Sequence, residues 1–169
     1  MSDDRRTLIL LRHAKSSYPD GVGDHERPLA PRGEREAGLA GDWLRSGAVP
    51  PVQAVLCSTA TRTRQTLART GIEAPTQFLD RLYGATPGGV INEINAVPEN
   101  VGTLLVIGHE PAMSSVALGL AGAPGNNLTV AGQISLKYPT SALAVLRVST
   151  AWAGLELGGA VLEAFHIPR

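Results

Sequence analysis

The sequence predicts an α/β fold: a three-layer sandwich with a mostly parallel central sheet and helices on both faces. Two observations carry this expectation. Residues 7–11 and 103–107 are short apolar runs and residues 52–57 read as a further buried strand, the pattern of strands covered on both faces. Between them lie stretches with helical spacing and helix punctuation, and strand–helix alternation of this kind builds a layered sheet.

The elements follow in order. After the first strand comes a polar loop containing Pro19, Gly21 and Gly23. Pro31 suits a first helical position, and Leu39, Trp43 and Leu44 recur at helical spacing as far as Gly47. The second strand closes on Ser58 and Thr59, and residues 63–70 read as a helix stopped by Gly71. Residues 87–97 form a weaker helix. The third strand runs into Gly108, His109, Glu110 and Pro111, ahead of a buried helix over residues 112–120. The rest of the uncharged stretch from Pro111 to Ser135 reads as a loop, and its prolines, asparagines and glycines exclude a membrane span. Residues 142–148 and 160–166 read as late strands around a short segment at Trp152.

Composition narrows the function classes. A chain of 169 residues with 43% hydrophobic and 18% charged residues can bury a core, and residues 1–169 read as a single domain. Lys plus Arg and Asp plus Glu are 15 each, so no net field exists to hold nucleic acid or an anionic membrane. The lone cysteine, Cys57, excludes an internal disulfide and a structural zinc site. Met1 to Arg6 is charged and leads into no long apolar core, so no signal peptide is expected and a cytoplasmic location is.

Three strands end in residues suited to chemistry: Arg12 and His13, then Ser58 with Arg62 beyond it, then Gly108 and His109. In a parallel α/β sheet, ligands sit beyond the carboxyl ends of the strands, so two histidines and two arginines converge on one crevice. That set suits a phosphoryl group. Arginine forks neutralise its charge, the helix starting near Pro111 presents its positive end, and a neutral imidazole can attack phosphorus.

These residues carry a family resemblance. Leu11-Arg12-His13-Ala14 resembles the Arg-His-Gly signature of the histidine phosphatase superfamily, the phosphoglycerate mutase-like family. The run from Ser58 to Thr66 resembles its Ser-Pro-x-x-Arg-Ala-x-x-Thr motif, and Gly108-His109-Glu110-Pro111 its late Gly-His motif. Arg27-Pro28-Leu29-Ala30-Pro31-Arg32-Gly33 is similar to a segment of the small bacterial phosphohistidine phosphatases, as is the run from Tyr138-Pro139-Thr140-Ser141-Ala142 to Pro168-Arg169. The resemblance implies a phosphoglycerate mutase-like fold, with His13 as nucleophile and Arg12, Arg62 and His109 lining the phosphate pocket. It places Arg27 at the pocket edge, and it implies no cofactor and no metal. Ala14 stands where the signature has glycine, and Thr59 where the second motif has proline. No carboxylate matches the general acid of the larger members, because Asp80-Arg81-Leu82-Tyr83-Gly84 occupies that region.

Each residue also has a plainer reading. Arg27 could be held in a surface ion pair by Asp24, Glu26 or Glu34, and Arg64 reads as a surface salt-bridge partner. His25 and His166 read as structural or exposed, Cys57 as a small core residue, and Trp43 and Trp152 as packing anchors. Lys15 and Ser16 sit beside the site without a clear role. The function expected is a metal-independent phosphatase working through a covalent phosphohistidine, acting on phosphohistidine of a signalling protein. The alternatives are a phosphatase of a small phosphorylated metabolite or nucleotide, and a phosphoprotein-binding module without turnover. The expected partners are therefore a phosphorylated protein or a small phosphorylated substrate, with neither nucleic acid nor membrane; oligomeric state is left undetermined by the sequence.

Overall fold

The computed structural model describes residues 5–122 and 124–169, so the first four residues of the charged start lie outside it. Among the described residues there are six strands: β1 (Arg6–Arg12), β2 (Ala54–Ser58), β3 (Thr76–Leu79), β4 (Thr103–Gly108), β5 (Leu143–Val148) and β6 (Ala160–His166). They form one sheet in the order β3-β2-β4-β1-β5-β6. The first four run parallel, β5 is antiparallel to β1, and β6 is antiparallel to β5. The sheet is thus mixed, with β5 the one reversed strand among those described.

Five α-helices cover it: α1 (Pro31–Leu44), α2 (Thr61–Thr70), α3 (Pro87–Asn95), α4 (Ala112–Leu120) and α5 (Leu128–Leu136). Alternation along the strands sorts the core into two layers. Leu8, Leu10, Leu104 and Val106 pack with Val90, Ile94, Val116 and Ile134 of α3, α4 and α5. Ile9, Leu11, Leu105 and Ile107 pack on the other face with Ala40, Leu44 and Leu67 of α1 and α2. Because both faces are covered, β1 and β4 read as solid apolar runs.

Two elements differ from the sequence reading. The segment expected as a loop contains α5, started by Asn127, whose side chain accepts from the Val130 amide at 3.1 Å. The edge strand β3 is four residues long and only partly covered, so it carries no apolar run to betray it. Among the described residues, no helix is long and apolar enough to cross a membrane.

Register sets the site. Arg12 lies opposite Gly108 in the β1–β4 ladder, and Cys57 lies opposite Ile107 in the β2–β4 ladder. His13, Ser58 and His109 therefore leave the sheet at one edge, side by side.

The sheet edge is held in place by close helix packing. Gly41 of α1 lies against the Thr70 carbonyl of α2, and a Cβ there would collide with that backbone. Gly41→Ala is expected to destabilise the protein by about 1–3 kcal/mol, because the helices must part. Gly132→Ala in α5 meets nothing within 4 Å and should stabilise by up to about 1 kcal/mol through helix propensity. Urea unfolding midpoints that move in opposite directions for the two variants check this.

Candidate active site

The β1 strand delivers Arg12 and His13, and backbone hydrogen bonds fix where they point. The His13 amide donates to Gly108 O at 3.0 Å, and the Ala14 amide donates to Thr66 Oγ1 at 2.9 Å. The Ser141 amide donates to the carbonyls of both Arg12 and His13, each at 3.1 Å. Ser141 takes a left-handed φ of 68°, a conformation disfavoured for a residue with a side chain, and is held there by this double contact. The Tyr138 hydroxyl donates to Leu10 O, and Arg12 Nη1 donates to Tyr138 O at 2.9 Å.

His13 is buried, and its Nδ1 lies 2.7 Å from Ala14 O. A carbonyl can only accept, so Nδ1 carries the proton and Nε2 carries the lone pair. Arg62 Nε donates toward that Nε2 at 3.4 Å. Burial lowers the His13 ring to about 3, with the cationic surroundings of Arg62 and Arg12 adding to it against the Ala14 contact. The ring is therefore neutral over the physiological range.

His109, at the end of β4, is buried with its ring centroid 5.2 Å from that of His13. Its Nε2 lies 2.8 Å from Ser58 Oγ, which fixes the ring from the end of β2. Burial first, and Arg62 next, lower His109 to about 4.

Arg62 projects from the first turn of α2 and is buried. Its Nη1 donates to Asp24 O at 2.7 Å and its Nη2 to Asp24 Oδ2 at 3.2 Å. Arg27 reaches the other carboxylate oxygen, with Nε to Asp24 Oδ1 at 3.1 Å, while its Nη1 donates to buried Ser16 Oγ at 2.8 Å. The plainer reading of Arg27 is the one seen: it is ion-paired to Asp24, and it is itself buried. The Tyr83 hydroxyl also donates to Asp24. That hydrogen bond, followed by those from Arg62 and Arg27, lowers the Asp24 carboxyl to about 2.

Sequence reasoning missed Asp24 and Tyr83 as parts of the site. Tyr83 sets its ring edge-on to His109 at 5.4 Å and to His25 at 4.9 Å, so His25 also belongs to the rim. Asp80 accepts from Thr59 Oγ1 at 2.6 Å, and Thr59 Oγ1 lies 3.0 Å from His25 Nε2, so Asp80 joins the rim only through Thr59. Arg64 differs from its expected ion pairing: its Nε donates to Thr59 O at 2.8 Å and its guanidinium lies 4.2 Å above the Phe78 ring. Cys57 is buried with its thiol pushed up to about 12 by burial, as suits a core residue.

Beyond Arg62 and His109 opens a cleft of about 400 Å³, walled by Asp24, Tyr83, Glu110 and Pro111 among others. An anion seated against Arg62 there would lie beside the guanidinium that also faces the lone pair of His13 Nε2 at 3.4 Å. Arg12 Nε is buried without a hydrogen-bond partner among the described residues, and an anion beside it would offset that deficit.

Comparison with known proteins agrees with this geometry. The family model of the histidine phosphatase superfamily (branch 1) matches residues 8–88. A solved structure from Nakamurella multipartitia, assigned as the phosphohistidine phosphatase SixA, has a TM-score of 0.88 and 40% identity, covering 97% of this chain and 96% of that one. The chain belongs to the histidine phosphatase superfamily. A structure of the protein histidine phosphatase SixA complexed with tungstate is 25% identical with a TM-score of 0.77, covering 96% of this chain and 97% of that one. An uncharacterised protein of Mycobacterium tuberculosis is 63% identical over 159 residues, covering 94% of this chain and all of the relative. The phosphoglycerate mutase-like fold expected from the sequence is the fold of this histidine phosphatase.

The neutral histidines have a consequence for pH. Unfolded histidine takes up a proton below about 6.5, whereas folded His13 and His109 do so only near 3 and 4. Between those values the unfolded chain binds more protons, so stability falls as pH drops from about 6.5 toward 4. In NMR titrations, the ring resonances of His13 and His109 are expected to stay flat from about pH 8 down to about pH 5. A midpoint near 6.5 for either ring would contradict the neutral state of that histidine.

Proposed function

We propose that this histidine phosphatase is a metal-independent enzyme that removes phosphate from phosphohistidine on a signalling protein, through a phosphohistidine of its own. The observation carrying this reading is His13: a neutral ring, clamped at Nδ1, with the Nε2 lone pair facing Arg62, which lines the adjoining cleft. In the first step Nε2 forms a bond to phosphorus, and the electron pair of the breaking bond goes to the leaving group. The ring then becomes a phosphoimidazolium, and the Ala14 carbonyl on Nδ1–H stabilises the positive charge it acquires. In the second step a water oxygen attacks phosphorus, the pair of the P–N bond returns to Nε2, and inorganic phosphate leaves. Arg12 and Arg62 hold the phosphoryl oxygens, His109 lies beside them, and Arg27 acts at the edge through Asp24. Arginines supply the charge neutralisation a metal would give elsewhere.

The preference for phosphohistidine rests on Asp24. Its carboxylate stands at the cleft, yet Tyr83, Arg62 and Arg27 hold it ionised, so it has no proton to give at neutral pH. An alkoxide leaves poorly without protonation, whereas imidazole leaves readily. The likeness to SixA proteins supports the same substrate class.

Two outcomes are expected. His13→Ala should keep its circular dichroism spectrum and lose at least about a thousandfold in turnover, roughly 4 kcal/mol of barrier. The wild-type enzyme should work in metal chelator, be blocked by vanadate, and favour a phosphohistidine protein over a sugar phosphate by about 10²-fold or more in kcat/KM. Equal efficiency on the sugar phosphate would make it a metabolite phosphatase. Binding without turnover would make it a phosphoprotein-binding module.

A further inference from the structure

We infer that Glu110 selects the leaving group of this phosphatase, favouring a phosphoimidazole that carries a proton on its far ring nitrogen over phosphates with anionic leaving groups. The inference rests on the phosphatase reading above and names its substrate more closely.

The cleft walls carry it. Arg62 and His109 line the cleft but His13 does not, so a phosphoryl group attacked by His13 turns its leaving group outward into that space. Two carboxylates face it there, Asp24 and Glu110, and they differ in what they have left to offer. Asp24 is engaged by Arg62, Arg27 and Tyr83. Glu110 has neutral partners instead: its Oε1 accepts from the Ser114 amide at 2.7 Å and its Oε2 from Ser114 Oγ at 2.8 Å. Among the described residues no basic side chain is ion-paired to it. The Glu110 carboxylate therefore stands beside the departing group with no salt bridge of its own, pinned in place by Ser114 of α4. It also reaches the phosphate end, where it opposes the lowering that burial imposes on the Arg12 guanidinium. Around it the cleft offers Tyr83, Ala85 and Pro111, a lining for a flat, weakly polar ring.

A carboxylate there does two things. It raises the share of bound phosphoimidazole that is protonated and hence cationic. From that species, the pair of the breaking P–N bond goes to the ring nitrogen, the proton already on the far nitrogen stays, and neutral imidazole departs. The enzyme supplies no proton, which a site with an ionised Asp24 could not give. The same charge repels leaving groups bearing a further carboxylate or phosphate.

The test compares full-length wild type, Glu110→Gln and Glu110→Asp on a phosphohistidine peptide and on 3-phosphoglycerate. Gln keeps an oxygen for the Ser114 amide and a donor for Ser114 Oγ, so melting temperatures are expected near wild type. The readout is the ratio of kcat/KM for the peptide to that for 3-phosphoglycerate. Glu110→Gln should lower that ratio by about tenfold, from loss on the peptide and gain on the anionic ester. Glu110→Asp should keep the ratio within about threefold of wild type, since the charge remains. A ratio unchanged in Glu110→Gln, or equally lowered in both variants, would overturn the inference and leave the phosphatase reading standing. Wild-type protein that hydrolyses neither substrate would remove the phosphatase reading itself.

Discussion

Two guanidinium groups, Arg62 and Arg27, gather beside the ends of β1 and α2, and the Asp24 carboxylate is the counter-charge that allows it. Arg62 and Arg27 both donate to it, and Tyr83 closes the third side. Like charges brought this close, partly out of water, repel strongly unless an opposite charge stands between them. Asp24 sits on a single 3-10 turn, Asp24–Glu26, in the loop between β1 and α1. Its contacts tie that loop to α2 through Arg62 and to the segment after β3 through Tyr83. The cleft keeps its shape because one carboxylate joins three separate parts of the chain.

A second constraint acts from behind. The segment from Tyr138 to Ala142 grips the end of β1 from the backbone side. Tyr138 holds the Leu10 carbonyl and receives Arg12 Nη1, Ser141 bridges the carbonyls of Arg12 and His13, and the Arg12 amide donates to Ala142 O at 3.1 Å. This is the work of a stretch whose likeness to the small bacterial phosphatases is visible in sequence but whose role is not. Ser141 bears a disfavoured φ for it, an arrangement typical of positions where the surroundings over-determine the backbone. The result is a His13 ring whose tautomer and height above the sheet are specified by main-chain groups.

What could be read from the chain follows the range of the forces involved. β1, β4 and α4 were legible because both faces of each strand are buried and the helix is apolar; the apolar run is then the signal. The gathering of Arg12, His13, Arg62 and His109 at one end of the sheet was legible because they follow the carboxyl ends of parallel strands. The edge strand β3 was not, since half-exposed residues leave no pattern. Helix α5 was not, since it buries only Val130 and Ile134 and interrupts its period with Gly132. Asp24 and Tyr83 were hidden for another reason. They lie 59 positions apart and acquire meaning only through each other and through Arg62. Asp24 was visible as a potential partner of Arg27, but nothing local distinguishes a surface ion pair from the counter-charge of a pocket. His25 was set aside likewise, and the Tyr83 ring is what brings it to the rim.

The electrostatics of the pocket also limit what chemistry it can perform. A carboxyl group acts as a general acid near neutral pH only when its surroundings favour the protonated form. Arginines that bind phosphate favour the opposite, and Asp24 is held near 2 in part by the guanidinium groups that make the pocket. The histidines cannot take over the role, because burial and the same arginines keep both neutral. A site of this kind has ample capacity to receive a phosphoryl group and little capacity to hand out a proton. To gain an acid it would need a carboxyl group whose surroundings favour its protonated form. Under the function proposed above, the burden of departure then passes to the substrate, and the substrates that can bear it are those whose leaving atom is a good nucleofuge already, a ring nitrogen before an alkoxide oxygen.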